Sequence, residues 1–262
     1  MTPAHDRTGA RPTIVGIPDP DLAAAVSRPG GVARLAAQVE ASGAAVVVLG
    51  ADRFAPERGR GRRLDPTTVA LALGRALPGH GLIVAAAPTR EHPYNVARRV
   101  LSLDHVLGGR VGLLVGARDH GAPPTPDVHD PAEFAEVVRG LWRTWPLDSI
   151  VGDREQGVFA ETSRITPLHH DGGPGGYRVR GPLTTPSSRQ GEPVLGVWHD
   201  VDLPTAELVL GSAEHPLPVL TPGAGELPAP ADSAACGTEP TRASRPTLRQ
   251  LLGPGVPAEV TT

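Results

Sequence analysis

Short apolar runs alternate with amphipathic segments along the first half of the chain. The runs that begin near Thr13, Ala45, Leu82 and Val111 predict buried strands. The segments between them carry apolar residues at spacings of three and four, which is typical of helices that bury one face. Strands and helices that alternate in this way form parallel βα units, so the pattern predicts a barrel or a doubly wound sheet. We expect the four strands to be consecutive and adjacent, with the helix of residues 92–107 outside them.

Helix-capping residues support this segmentation. Asp65 and Asp130 each precede a proline, and aspartate followed by proline is a common helix start. Glu133 stands three residues after Asp130, which predicts a capping box. Gly108 follows the helix of residues 92–107, at the position where glycine ends a helix in a left-handed cap.

The second half of the chain contains fewer elements. A polar excursion at residues 148–186 precedes a fifth strand at 194–197 and a short sixth strand at 207–210. Residues 218–220 are a possible remnant of a seventh strand. The Pro, Ala and Gly content of residues 221–244 predicts a flexible linker that is dispensable to the core.

Composition excludes several classes of protein. The net charge of −3 gives no reason to expect nucleic acid or an anionic membrane as partner. The arginine-rich segment 57–63 lacks aromatic residues, so we interpret it as a solvated loop. The single cysteine, Cys236, rules out an internal disulfide and favours a cytoplasmic protein. No apolar run approaches the ~20 residues of a membrane span, and no signal peptide is visible.

Particular phrases are more specific than the periodicity. A helix begins with Pro93 and Tyr94 and runs through ARR and SLDH into GGR and a strand. The phrases HDPAEFAEVVRGLWRTW, DSIVGDREQGVF, RGPL and QGEPV follow, and PTLRQLLGPGVP stands near the C-terminus. Together they resemble the bacterial-luciferase-like flavin monooxygenases, in the branch of the nitrilotriacetate and dibenzothiophene-sulfone monooxygenases. The resemblance covers residues 45–197 and the C-terminal phrase.

The resemblance implies an α/β fold of the (β/α)₈ TIM-barrel type, shortened after the fifth strand. Residues 1–220 would form the barrel domain, with 148–186 as an insertion before the fifth strand, 221–244 as a linker and 245–262 as a C-terminal tail. The implied activity is oxygenation of a small organic substrate by O₂ and reduced FMN, which a separate reductase supplies. A deazaflavin is the alternative cofactor, and a homodimer is the expected assembly.

The resemblance also implies site residues. Asp52 matches an alanine–aspartate pair that lies at the flavin, and Thr89 is the nearest match to a flavin-contacting hydroxyl. Tyr94 matches the family's helix start, and His129 matches a histidine before the next helix. We therefore expect Asp52, Thr89, Tyr94 and His129 to contact the cofactor, and His129 to be catalytic as well. On local grounds alone, Asp52 is a loop aspartate that caps its own backbone, and Tyr94 is a packing aromatic.

Other family positions are altered. Leu113, Leu114, Ala117 and Arg118 stand where the family has tryptophan, asparagine and a threonine–serine pair, and residues 198–200 replace its phosphate-binding serine loop. Arg118, Arg143 and Arg178 are possible substitutes for the phosphate contacts. These losses predict weak FMN binding. They also support a second hypothesis, a non-catalytic scaffold that acts as a binding or dimerisation partner.

A metal-dependent barrel enzyme is a third hypothesis. Imidazole and carboxylate groups suit iron, manganese or zinc, and the chain offers them at His169, His170, His199, Asp200 and Asp202. Their spacing matches no metal-binding motif, so surface loops explain them better and no metal is predicted. Cys236, in a segment rich in proline and alanine, is a poor catalytic thiol.

Overall fold

The computed structural model describes residues 12–54, 64–122, 129–220 and 245–253. Its strands are β1 (Ile14–Ile17), β2 (Val46–Leu49), β3 (Gly81–Ala86), β4 (Val111–Val115), β5 (Ile150–Asp153), β6 (Val158–Ala160), β7 (His170–Asp171), β8 (Arg178–Val179), β9 (Val194–Trp198) and β10 (Leu208–Leu210). Its α-helices are α1 (Asp19–Val26), α2 (Gly31–Ala41), α3 (Pro66–Ala76), α4 (Pro93–Leu107), α5 (Pro131–Trp142) and α6 (Leu248–Leu252). A short 3₁₀ helix, Ala51–Phe54, follows β2.

Six strands form one parallel sheet in the order β1-β2-β3-β4-β9-β10. The first four are consecutive, parallel and adjacent, which confirms the prediction from the apolar runs. Residues 218–220 lie beside β1, where the Gly16 N–H donates to the Pro218 carbonyl at 2.7 Å and the Leu220 N–H donates to the Gly16 carbonyl at 2.9 Å. The predicted remnant strand is therefore a single parallel bridge at the edge of the sheet.

The sheet curls into a half-barrel with an apolar layer on each face. On β2, Val47 belongs to the outer layer while Val46 and Val48 belong to the inner one, because successive strand residues point to opposite faces. The predicted stripe of α4 is buried in the outer layer: Val96, Val100, Leu103 and Leu107. The helix therefore covers the outside of the sheet, as its periodicity predicts.

The C-terminal helix α6 packs inside the half-barrel. Leu248 is fully buried in the inner layer, and its N–H donates to the Gly109 carbonyl at 2.8 Å. A Cβ atom on Gly81 would lie 2.4 Å from the Leu248 side chain, and one on Gly112 would lie 2.8 Å from it. Two strand glycines thus make the room for Leu248, so this part of the predicted C-terminal tail belongs to the core.

The insertion at 148–186 contains two antiparallel hairpins, β5–β6 and β7–β8. The predicted capping box at Glu133 is wrong. Asp130 caps α5 alone, by accepting the Ala132 N–H at 2.9 Å. Glu133 instead accepts from His170 Nε2 and from the Tyr177 N–H, each at 2.8 Å, and so anchors the second hairpin to α5.

Two sequence predictions cannot be compared with the structure, and one helix of the structure is absent from the predictions. The predicted linker 221–244 and the loop 57–63 lie outside the described residues. Helix α1 was not predicted, because it is short and its N-cap, Pro18, has no side chain that can cap. Within the described part of the chain, no helix is long and apolar enough to cross a membrane.

A buried polar junction joins α4, β4 and the end of the insertion. Asp104 Oδ1 accepts from the Val111 N–H at 2.7 Å and from Gln190 Nε2 at 3.0 Å, and Gln190 Nε2 also donates to the Val111 carbonyl at 2.8 Å. Burial raises the pKa of Asp104 to about 6, although these hydrogen bonds act in the opposite direction.

We expect Leu248→Ala to destabilise the protein by about 2–5 kcal/mol, because it leaves a cavity between Gly81 and Gly112. Urea unfolding followed by circular dichroism measures the loss. Leu252→Ala, a partly exposed position on the same helix, is the matched control and should cost much less. A Leu248→Ala unfolding midpoint equal to that of the wild type would show that Leu248 does not support the core.

We expect Asp104→Asn to remove a pH dependence of stability. The folded-state pKa is above the unfolded value, so the folded state holds the proton more tightly between about pH 4 and pH 6. In the wild type this group's contribution is fully present below that window, falls by about 3 kcal/mol as pH rises through it, and stays low above it. The free energy of unfolding of the variant, relative to that of the wild type, should therefore rise as the pH increases from 4 to 6.

Urea unfolding at pH 4, 5, 6 and 7 measures these free energies. Asp130→Asn, which changes the exposed cap of α5, is the control and should follow the pH profile of the wild type through this window. Parallel pH profiles for wild type and Asp104→Asn would refute the assignment.

Candidate functional site

A cavity of about 430 Å³ opens at the carboxyl end of the half-barrel. Ligands bind at this end of parallel barrels, and ligand pockets commonly measure roughly 300–1,000 Å³. The lining comes from the ends of β1, β2, β9 and β10 and from the segment that follows β10. Its described residues are Gly16, Ile17, Pro18, Ala51, Asp52, Trp198, Gly211, Ser212, Ala213, Pro216, Leu217 and Val219.

Asp52 is the predicted site residue that lines this cavity. The short 3₁₀ helix after β2 places it there and leaves it only 8% exposed. Its Oδ1 accepts the Asp19 N–H at 2.9 Å, so the carboxylate also holds the first turn of α1 in place. The backbone cap expected on local grounds is therefore formed with another segment, 33 residues away in the chain.

Two aromatic side chains cover the inner layer beside the cavity. Trp198 ends β9, and its ring centroid lies 5.6 Å from that of Phe54, at an interplanar angle of 55°. A Cβ atom on Gly116 would lie 2.4 Å from the Phe54 ring, and one on Gly211 would lie 2.5 Å from the Trp198 ring. Gly211 also has a φ of +91°, which a larger residue rarely adopts. The sequence analysis treats Trp198 only as part of the segment that replaces the family's serine loop. Its position at the end of a strand could have predicted that it lines the site.

Thr89 belongs to a chain of charged side chains in which Asp19, Arg53 and Asp119 are buried and Arg90 is exposed. Its Oγ1 accepts the Asp119 N–H at 3.2 Å. Arg90 Nε donates to Asp119 at 2.7 Å, and Arg53 Nε donates to Asp19 at 2.5 Å while its Nη1 lies 4.0 Å from Asp119. Burial alone would raise the pKa of Asp119, but the Gly121 N–H and the Arg90 guanidinium hold it below its ordinary value. This chain joins the carboxyl ends of β1 to β4 and was not predicted.

Tyr94 and His129 face the insertion. The Tyr94 hydroxyl donates to the Pro182 carbonyl at 3.4 Å. His129 stacks on Tyr177 with ring centroids 4.3 Å apart, and its Nδ1 lies 3.0 Å from the Gly175 carbonyl. Only Asp52 among the four predicted residues is in the described lining of the cavity, so the cofactor roles of Thr89, Tyr94 and His129 stay predictions.

Three of the alternative ligands named in the sequence analysis, His170, Arg143 and Arg178, have partners within the protein. Among the described residues, no group of three or more His, Cys, Asp or Glu side chains is arranged to hold a metal ion. His170 bonds to Glu133 instead. Arg143 forms a bidentate pair with Glu192, with both bonds at 2.8 Å, and Arg178 lies 3.5 Å from Asp171. Neither arginine is in the described lining of the cavity.

The family model for luciferase-like monooxygenases matches residues 14–190, which is more than half of the chain. This protein belongs to the luciferase-like monooxygenase family. The match includes the strands and helices from β1 to α5 and the whole insertion. It confirms the resemblance carried by the sequence phrases.

Two curated relatives illustrate the match. A subunit of pristinamycin IIA synthase from Streptomyces pristinaespiralis is 32% identical over an alignment of 259 residues, and the match covers 86% of this chain and 88% of the relative. Dibenzothiophene-sulfone monooxygenase from Rhodococcus erythropolis is 35% identical over an alignment of 144 residues, and the match covers 50% of this chain but only 31% of the relative. The chain therefore spans most of the first relative and about a third of the second.

Solved structures show the same fold. The crystal structure of long-chain alkane monooxygenase matches with a TM-score of 0.59 at 19% identity, over 78% of this chain and 56% of that one. The chain thus spans about half of this solved relative, which agrees with a shortened barrel. Solved proteins that share the fold include one crystallised with a modified FMN and one with an F420 adduct.

The cavity suits the ring system of a flavin better than its phosphate group. Its volume and the neighbouring Trp198 and Phe54 rings fit a flat ring system. Its polar groups are the side chains of Ser212 and Asp52 and the indole N–H of Trp198, and its described lining contains no arginine or histidine. A phosphate carries close to two negative charges and needs fixed donors, which these lining side chains do not supply in number.

Proposed function

We propose that this protein is a flavin-dependent monooxygenase that uses reduced FMN and O₂ on a small organic substrate. The observation that carries the proposal is the cavity of about 430 Å³ at the carboxyl end of a luciferase-like half-barrel, with Asp52 in its wall. One oxygen atom would enter the substrate and the other would leave as water. A separate reductase would supply the reduced cofactor, and a deazaflavin is the alternative.

The chain's own residues would bind and shield the reacting groups. When bound, reduced flavin supplies the electrons for O₂ activation, and the protein supplies position and shelter from water. Trp198 and Phe54 would provide the aromatic wall, and Asp52 would accept a hydrogen bond from the bound molecule. The buried pair Arg53–Asp19, and the pair that the exposed Arg90 forms with the buried Asp119, hold the loops that carry these groups.

The non-catalytic scaffold is the less favoured hypothesis, because the matched relatives include named monooxygenases. Thr89, Tyr94 and His129 remain proposed cofactor contacts, with His129 as the proposed catalytic residue. The proposed domain limits are 1–220 for the barrel with its insertion, 221–244 for the linker and 245–262 for the tail. A cytoplasmic location stays a prediction from the single cysteine.

We expect FMN to bind the wild type weakly, with a dissociation constant of about micromolar or higher. Each hydrogen bond to a charged group is worth about 1.5–3 kcal/mol, so two missing phosphate contacts weaken binding by roughly two to four orders of magnitude. Asp52→Asn keeps an acceptor for the Asp19 N–H, whereas Asp52→Ala removes it, so the pair separates ligand binding from loop support. Both should bind FMNH₂ about tenfold more weakly than the wild type.

Titrations of FMN and FMNH₂, followed by flavin and tryptophan fluorescence, measure these constants. Asp202→Asn changes an exposed carboxylate on the loop after β9 and is the matched control, which should bind as the wild type does. Nanomolar binding by the wild type would refute the weak site. Equal binding by wild type and both Asp52 variants would remove Asp52 from the site.

We also propose that the hairpin β5–β6 mediates the expected homodimer. Phe159 is 66% exposed there and Val151, on the paired strand, is 48% exposed, and large exposed apolar side chains mark contact surfaces. Phe159→Glu should convert a dimer into a monomer in light scattering, because it buries a charge in the contact. Leu71→Glu, on α3, is the control and should leave the mass unchanged. A monomeric wild type would contradict self-association. A contact with a different chain would then be the alternative, because one relative is named as a subunit of a synthase.

A further inference from the structure

The segment that follows β10 joins the two edges of the six-stranded sheet. β10 is the last strand in the order of the sheet and β1 is the first, and residues 218–220 bond to the Gly16 backbone on β1. Residues 211–217, which we call the strap, therefore cross from one edge to the other at the carboxyl end of the half-barrel. A complete barrel closes this gap with further strands, so here the strap supplies the wall of the cavity on that side.

The strap is held at both of its ends. At its start, Gly211 lies against the Trp198 ring, where a Cβ atom would come within 2.5 Å of that ring. The Gly211 N–H donates to the His215 carbonyl at 2.8 Å, which closes the first turn of the strap. At its end, the Leu217 side chain lies over Gly16, so that a Cβ atom on Gly16 would be 3.0 Å from it. Leu217 is thus fixed in the cavity wall, where it packs against the inner apolar layer.

The strap contributes apolar side chains to the cavity and carries its charged side chain in solvent. Ala213, Pro216 and Leu217 belong to the described lining, together with Trp198 from the end of β9. Glu214 is exposed and is not in that lining. Apolar walls favour apolar ligands, because contact with the wall removes the apolar surface of the ligand from water. The strap therefore favours a molecule with a large apolar part.

The charged chain that begins at the cavity has an excess of negative groups. Asp52 lines the cavity and accepts the Asp19 N–H at 2.9 Å, and Arg53 Nε donates to Asp19 at 2.5 Å. Arg53 also lies 4.0 Å from Asp119, which accepts from Arg90 at 2.7 Å. This chain contains three carboxylates and two guanidinium groups, so one negative charge is left in excess. An anionic group beside Asp52 is therefore repelled, whereas an uncharged group is not.

We propose that the strap and Asp52 select an uncharged, apolar organic molecule as the substrate, with Leu217 and Asp52 as specificity-determining residues. Leu217 contacts the apolar part of the substrate, and Asp52 excludes molecules that would bring an anionic group into the cavity. Specificity of this kind combines an attractive wall with a charge that repels the wrong ligand. The inference rests on the proposed function in one respect, which is that the selected molecule is the substrate of the flavin reaction.

Indole-3-carboxamide and indole-3-carboxylate are a matched pair of probes, because at neutral pH they have nearly the same shape and differ by one charge. Calorimetric titration of the full chain with each probe, without flavin, measures the binding. We expect the wild type to bind the carboxamide about tenfold or more tightly than the carboxylate. Equal or reversed affinities, or no binding of the carboxamide at millimolar concentration, would overturn the inference.

Four variants test the residues. Asp52→Asn removes the charge and keeps an acceptor for the Asp19 N–H, so it should reduce the preference for the carboxamide about tenfold. Leu217→Arg adds a cation to the wall and should bind the carboxylate about tenfold more tightly than the wild type does. Ala213→Arg adds the same cation at an exposed lining position and serves if Leu217→Arg does not fold. Glu214→Gln, outside the lining, is the matched control and should leave both affinities unchanged.

The results separate this inference from the proposed function. An unchanged preference in Asp52→Asn, or folded arginine variants that bind the carboxylate no better than the wild type, would overturn the inference. A preference in Glu214→Gln that falls as far as in Asp52→Asn would also overturn it, because overall charge would then decide. A wild type that prefers the carboxamide but binds neither FMN nor FMNH₂ would support the selection and contradict the proposed function. A wild type that binds FMNH₂ without any preference between the probes would do the reverse.

Discussion

A parallel sheet must bury both of its faces, and this constraint shapes the whole structure. In a complete barrel the inner face closes on itself, but here only six strands and a single bridge are present among the described residues. The C-terminal helix α6 meets the constraint by inserting Leu248 against Gly81 and Gly112. In the described part of the chain, α6 thus plugs the amino end of the half-barrel, while the carboxyl end stays open as a cavity.

The same constraint explains why polar groups gather at a few buried joints. Asp104 and Gln190 tie the α4–β4 unit to the end of the insertion through Val111. Arg110, 2% exposed, donates to the carbonyls of Leu77 and Leu107 and so caps the ends of α3 and α4. These joints fix each helix to its strand, which keeps the loops at the opposite end in place.

The fold was predictable because its signals are local, and most of the site was not because its contacts are distant. The SLDH and QGEPV phrases contain Asp104 and Gln190, so the motifs that carried the resemblance hold the scaffold together. Asp52 was predictable from its place after a strand. Tyr177 reaches His129 only through the folding of the insertion, and no periodicity encodes that contact. Glu133 failed as a capping residue for the same reason, since a distant hairpin offers it better partners than its own helix does.

The shortened barrel also changes which chemical groups the cavity at its carboxyl end can bind. The loop that carries serine in the resembling family is here replaced from Trp198 onward, and that side chain lies beside Phe54 at the cavity. The exchange adds an aromatic wall and removes hydroxyl donors, so it favours a ring and disfavours a phosphate at the same position. A cofactor held mainly by its ring would exchange readily, which agrees with the proposal that a separate reductase supplies reduced flavin.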